Sequence, residues 1–338
     1  MREAAGRAVI PIIDIHALCD LHAGRTRRAA LARELDDAAH RFGFFYVVGH
    51  GVDSGLVDSL VRVAREFFAL DEAAKMRTPM STGGRAWRGY FPLGGELTSD
   101  RPDWKEGLYL GTELPDDHPR VQAGTILHGR NLWPAIKGFR STVLAYIDAL
   151  ALLGHRLMGG LALGLGLDEN WFAERYTADP LILLRLFNYP SRPVPDGTAA
   201  RWGVGEHTDY GLLTLLWQDD VGGLQVSTDD GWIDAPPVPG SFVCNVGDML
   251  DFMTDGHWRS VPHRVTINST GRDRLSIPLF FDPDFDARIE RAPVASQRGR
   301  RPGVRWDGAD LRAFQGTYGD YVTSKVAKVF PALHRAVS

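Results

Sequence analysis

The sequence predicts an α+β protein: a helical N-terminal part, a distorted jelly roll or barrel of short strands, and a closing helix. Three observations predict it. Apolar residues recur at helical spacing in three long stretches before residue 166. From Leu181 the pattern changes to short strand-like runs, separated by turns such as Asp219-Asp220-Val221-Gly222-Gly223 and Asp229-Asp230-Gly231. Regularly spaced short strands of this kind build a two-sheet jelly roll or barrel.

Each element follows from its residues. Residues 9–15 form a short β-branched strand. Thr26 offers an N-cap to a helix reaching about Arg41, with Leu31, Leu35, Ala38 and Phe42 on one face. A buried strand over 43–48 ends at Gly49-His50-Gly51, and His50, alone between glycines, reads as a turn residue rather than a ligand. Ser54 caps a second helix to about Met76, with Val57, Leu60, Val61, Ala64, Phe67 and Phe68 facing inward. Residues 77–131 are rich in Gly, Pro and Asp. They read as a substrate-contacting lid or a surface excursion, with Tyr90, Leu108 and Tyr109 as the lid contacts. A long apolar helix over 133–165 carries Val143, Tyr146, Ile147, Leu150, Leu153 and Leu157, and Gly164 and Gly166 end it. Strands follow at 182–189, 212–217, 224–226, 232–235, 242–246, 265–268 and 275–281. The Arg-rich run 298–305 is an exposed loop. A final helix over 309–329, with Leu311, Phe314, Tyr318, Tyr321 and Val322, packs across the barrel. Two regions result, 1–130 as a helical and variable region packed on the core and 131–338 as the catalytic jelly roll, in a single compact unit.

The chain's 338 residues, 44% hydrophobic and 24% charged, suit a globular protein with a sizeable core. A formal net charge of −4 favours neither nucleic acid nor an anionic membrane surface as partner. Cys19 and Cys244 form no metal pattern and read as thiols in a reducing compartment. No apolar run reaches a membrane span, and the N-terminus has no apolar leader, so the expected location is the cytoplasm. Oligomeric state is not legible.

The chemistry gathers at Gly205-Glu206-His207-Thr208-Asp209-Tyr210. On extended backbone His207 and Asp209 point to one face. One imidazole and one carboxylate are two-thirds of the facial triad that holds Fe(II), and His263 is the candidate third ligand. Downstream, Arg274 and Ser276 share a strand face and make a charge-assisted seat for a carboxylate. A lone His-x-Asp arises often by chance; all of these in this order do not. The same alternation turns Pro278 and Phe280 into the cavity, places Arg185 and Phe187 on the face of Tyr189, and points Tyr210 away from the ligand pair. Arg185 is the candidate contact for a polar or carboxylate group of the substrate.

The chain resembles the isopenicillin-N-synthase-like family of non-haem Fe(II), 2-oxoglutarate-dependent oxygenases. That group includes plant pathway enzymes and bacterial tailoring enzymes of secondary metabolism. The resemblance spans nearly the whole chain. It rests on Pro11-Ile12-Ile13-Asp14, Gly43-Phe44-Phe45 and His50-Gly51-Val52 in the N-terminal part. In the catalytic half it rests on Asn188-Tyr189-Pro190, His207-Thr208-Asp209, Gly223-Leu224-Gln225-Val226, Asn245-Val246-Gly247-Asp248, His263-Arg264-Val265 and Arg274-Leu275-Ser276. It implies a distorted jelly roll in which His207, Asp209 and His263 bind iron and Arg274 and Ser276 hold the far carboxylate of 2-oxoglutarate. Tyr189 matches a tyrosine that reaches co-substrate or substrate. The implied reaction consumes O2 and 2-oxoglutarate, oxidises a C–H of a small molecule and releases succinate and CO2. Three other outcomes fit the same residues: an oxidase that needs no 2-oxoglutarate, an ethylene-forming enzyme, and a non-catalytic ligand-binding module.

Overall fold

The computed structural model describes residues 9–20, 22–194, 197–294, 307–308 and 310–329. The Arg-rich run 298–305 lies outside them. In chain order the first elements are β1 (Ile12–Asp14), α1 (His16–Cys19), α2 (Arg25–Arg41), β2 (Phe44–Val48), α3 (Ser54–Phe68) and α4 (Glu72–Lys75). Then come β3 (Gly89–Phe91), β4 (Leu97–Thr98), β5 (Arg101–Pro102), β6 (Glu106–Gly111), α5 (Pro119–Gln122), α6 (Phe139–Gly164) and α7 (Trp171–Arg175). The catalytic half runs β7 (Leu181–Tyr189), β8 (Val204–His207), β9 (Leu213–Gln218), β10 (Leu224–Thr228), β11 (Gly231–Asp234) and β12 (Phe242–Val246). It closes with α8 (Asp248–Met253), β13 (His263–Val265), β14 (Arg274–Asp282) and α9 (Tyr318–Val329).

The strands form a jelly roll. An eight-stranded sheet in the order β1-β2-β12-β9-β14-β7-β6-β3 stands against a four-stranded sheet in the order β11-β10-β13-β8. Alternation divides the large sheet into two buried faces. Phe45, Val47, Leu184, Leu186, Leu215, Ile277, Leu279 and Phe281 belong to a core shared with α2, α3 and α6. Phe44, Tyr46, Phe187, Tyr189 and Val243 belong to a second core, shared with Leu224, Val226 and Val265 of the small sheet. The site lies within this second layer.

Helix α6 is the spine of the outer layer. It has 26 residues and is long and apolar enough, by composition alone, to cross a membrane, contrary to the sequence expectation. It is instead the core helix here, packed on α2, α3, β7, β9 and β14. Its end is a glycine signal: Gly166 sits at φ +75°, and Leu167 N–H returns to the Ala162 carbonyl.

Several predicted boundaries move. Gly24, not Thr26, precedes α2, and Asp53, not Ser54, caps α3 by accepting from Leu56 N–H. Helix α3 stops at Phe68, because Asp71 caps a separate turn, α4. The final helix begins at Tyr318 rather than 309. Gly316 at φ +145° breaks the backbone, and Thr317 and Asp320 then form a reciprocal capping box. Strand β8 and helix α8 are additions to the predicted elements.

The largest correction concerns residues 77–131. This stretch is not a free lid. It supplies β3 and β6, which pair with each other and extend the main sheet through β7. Strand registry then decides the faces. Tyr90 and Leu108 are paired and turn to the helical core, so neither reaches the cavity, whereas Tyr109 faces the interior.

Candidate active site

Strands β8 and β13 are antiparallel neighbours, with His263 directly opposite His207. Their imidazole centroids lie 4.2 Å apart. Asp209 follows β8 by two residues, and its Oδ1 is 3.8 Å from His207 Nε2 and 3.7 Å from His263 Nε2. The three ligating atoms all lie within 4.8 Å of one another.

Their surroundings fix which atoms are free. Nδ1 of His207 is 2.8 Å from the Gly205 carbonyl, and Nδ1 of His263 is 3.2 Å from the Val261 carbonyl. A carbonyl can only accept, so each Nδ1 carries a proton, and Nε2 is the ring nitrogen turned toward the cluster. Oδ2 of Asp209 accepts from Thr214 Oγ1 and from Asn245 Nδ2 at 2.7 Å, leaving Oδ1 to turn toward the histidines. Burial alone would raise the Asp209 carboxyl. The neighbouring His263 and His207 and the two hydrogen bonds more than reverse that and hold it below its ordinary range. Burial first, then the adjacent His207, push the His263 imidazole down to about 4, so it stays neutral. Two imidazoles and one carboxylate suit a divalent iron and leave coordination positions open.

A cavity of about 640 Å³ opens beside this cluster. The inward row of β14 (Arg274, Ser276, Pro278, Phe280, Asp282) and that of β7 (Leu183, Arg185, Phe187, Tyr189) both line it. Arg274 is almost wholly buried. Its Nη2 donates to Gln218 Oε1 at 3.1 Å, while Nε and Nη1 are buried without a partner among the described residues. Such a buried, half-satisfied guanidinium fits a carboxylate ligand, since leaving those donors unmade is costly. The Tyr189 ring lies 4.7 Å from Arg274 Cζ, and its hydroxyl accepts from Ser276 Oγ at 3.5 Å. These residues fit the distal carboxylate of 2-oxoglutarate, as the triad fits iron.

Arg185 is also buried. Its guanidinium stacks at 3.5 Å on Tyr109 and reaches the Leu110 and Leu184 carbonyls at 3.4 and 3.3 Å. It forms no ion pair among the described residues. Tyr210, read as pointing away, lines the cavity as well. Strand β8 ends at His207, so two-residue alternation no longer governs position 210.

Other lining residues were not read as site residues from the sequence. Lys105 sits 2.7 Å from Asp103 and 2.8 Å from Glu96, and Glu96 accepts from the Tyr109 hydroxyl. Val322, Lys325, Val326 and Val329 of α9 close one side. The two groups that hold Asp209 carried a faint signal: Asn245 is the one polar residue in Phe-Val-Cys-Asn-Val, and Thr214 stands alone among leucines. Glu96 and Lys105 lie in a stretch without periodicity and carried none.

A jelly roll with a His-x-Asp…His cluster beside a buried arginine seat defines the class of non-haem iron oxygenases. The comparisons give the family. The N-terminal model for non-haem dioxygenases, described for morphine synthesis, matches residues 10–136, and the model of the 2OG-Fe(II) oxygenase superfamily matches residues 178–283. A probable iron/ascorbate oxidoreductase of Dictyostelium discoideum is 49% identical, with 97% of this chain and 96% of the relative covered. A 1-aminocyclopropane-1-carboxylate oxidase from the same organism is 38% identical over 95% of each chain. A homoarginine-6-hydroxylase of Glycine max is 37% identical, with 95% and 97% covered. Among solved structures, a full-length Neurospora crassa protein in complex with alpha-KG and thymine superposes with a TM-score of 0.78 at 27% identity, covering 96% of this chain and 98% of that one. The chain belongs to the 2OG-Fe(II) oxygenase superfamily and is a 2-oxoglutarate-dependent non-haem iron enzyme.

Proposed function

We propose that the enzyme hydroxylates an unactivated C–H of a free amino acid. The observation that carries this is Arg185, a buried guanidinium that lines the cavity and pairs with no carboxylate among the described residues. A substrate carboxylate supplies the missing partner. Two of the relatives are named for amino acids, 1-aminocyclopropane-1-carboxylate and homoarginine, which supports the same reading.

The protein's part in the reaction is to hold and to exclude. His207 and His263 through Nε2, and Asp209 through Oδ1, would hold the iron. Arg274 and Ser276, with Tyr189 over them, would hold 2-oxoglutarate. Bound iron, 2-oxoglutarate and O2 supply the oxidant and yield succinate and CO2. Arg185 orients the substrate so that one C–H faces the metal. Phe280, Val322 and Val326 line the cavity with apolar surface and keep water from the reacting centre. We further place the enzyme in the cytoplasm, where its free Cys19 and Cys244 suit a reducing compartment, and among the tailoring steps of secondary metabolism that it resembles.

The test is a screen for succinate release across amino acids, with product mass recorded. Arg185→Ala is expected to raise the KM for the amino acid about tenfold or more, the cost of a lost charge-assisted bond, with the KM for 2-oxoglutarate little changed. An unchanged amino acid KM would overturn the assignment.

A further inference from the structure

We propose that Asp282 is the receptor for the substrate's cationic nitrogen, so that the cavity takes a zwitterion held by Arg185 at its carboxylate and by Asp282 at its ammonium group. This rests on the amino acid reading above and extends it to a residue for which neither the sequence motifs nor the metal site has a use.

Asp282 ends the inward row of β14, beyond Phe280, and lines the cavity while only 3% exposed. Its Oδ2 accepts from the Tyr318 hydroxyl of α9 at 2.6 Å. Its Oδ1 has no hydrogen-bond donor among the described residues. The chain keeps space for that oxygen: a Cβ at position 211 would collide with it, so Gly211 is needed there. The other buried carboxylates of the cavity are engaged, Glu96 with Lys105 and Tyr109, and Asp209 with the two histidines. Toward the mouth, Asp307 lies 3.8 Å from Lys325. The cations are likewise assigned, since Lys105 is neutralised by Asp103 and Glu96, and Arg274 seats 2-oxoglutarate. Of the buried charged groups that line the described cavity, Arg185 and Asp282 are what is left for a substrate, one charge of each sign; Asp100, the other lining carboxylate, is exposed. Burial dominates at Asp282 and pushes its carboxyl up to about 7; the Tyr318 hydrogen bond and Arg185 lower it, and the Asp209 charge raises it. A bound ammonium would restore the ionised form.

The experiment measures succinate release with the twenty protein amino acids, homoarginine and 1-aminocyclopropane-1-carboxylate, each beside its des-amino acid. The wild type is expected to favour the amino acid by about tenfold or more in kcat/KM, the loss expected when a buried charge-assisted bond has no partner. Asp282→Asn is expected to bring that preference near unity, and Asp282→Glu to restore part of it. The KM for 2-oxoglutarate and the thermal midpoint report on folding. If Asp282→Asn does not fold, Tyr318→Phe replaces it. That variant keeps the carboxylate but removes its anchor, and a several-fold loss of the preference is expected. A folded Asp282→Asn, or Tyr318→Phe in its place, that retains the full preference overturns the proposal. So does a wild type that favours the des-amino acid, although the Arg185 reading then stands. A wild type inactive on every amino acid and des-amino acid overturns both.

Discussion

Asp209 shows how much of a metal ligand's behaviour is decided by residues that never touch the metal. Its Oδ2 is occupied by Thr214 and Asn245, so only Oδ1 is presented to the histidines. Asn245→Ala removes one of the two donors that hold that oxygen. The iron Kd is expected to weaken about 10- to 100-fold, measured by anaerobic titration, with the fold intact by circular dichroism. At Arg274 the donors left open are Nε and Nη1, held in a planar guanidinium that an ammonium cannot reproduce. Arg274→Lys should therefore raise the KM for 2-oxoglutarate about tenfold or more while leaving iron affinity unchanged, read from initial rates and from the same titration. The ligands themselves were legible because His207 and Asp209 stand two apart and His263 follows them in order ahead of Arg274 and Ser276. Asn245 was quoted only as part of a motif. Its role depends on β12 lying beside β9, a pairing that no local pattern encodes.

At the scale of elements, β14 was read most fully. Its alternation places Arg274, Ser276, Pro278 and Phe280 in the cavity, and Leu275, Ile277, Leu279 and Phe281 under the helices. The junction of β14 with α6 is tight, since a side chain at Gly154 would meet the Phe281 ring. Gly154→Leu should destabilise the protein by about 1–3 kcal/mol through overpacking, seen as a lower urea midpoint. It should also raise the KM for 2-oxoglutarate, because Phe281 and Arg274 share a strand. Asp53→Ala, which removes the α3 cap far from the site, should cost about 1 kcal/mol with no change in either KM. The irregular stretch 77–131 was misread because β3 and β6 are short and lack alternating polarity. Both their faces are buried, one on helices and one on the interior layer, so the pattern that reveals a half-exposed strand is missing.

For the whole molecule, the triad joins β8 and the loop after it to β13 of the small sheet, and Asp209 reaches through Asn245 to β12 of the large one. Iron is thus expected to tie the two sheets together. Saturating Fe(II) at about 100 times its Kd should add about 2.7 kcal/mol to unfolding free energy, measured anaerobically by thermal melting, and His263→Ala should abolish the increment. What the sequence determined by itself was local and periodic. It set the helix faces, the strand alternation, the order of the metal ligands and the arginine seat, and with them the superfamily. These follow from geometry within a few residues of chain. Only the tertiary structure decided that β3 and β6 extend the main sheet, that α9 closes the cavity and brings Tyr318 to Asp282, and that Arg185 is left without a carboxylate. Those outcomes depend on long-range pairing, where many registers satisfy the local pattern and the packing of the whole chain selects one.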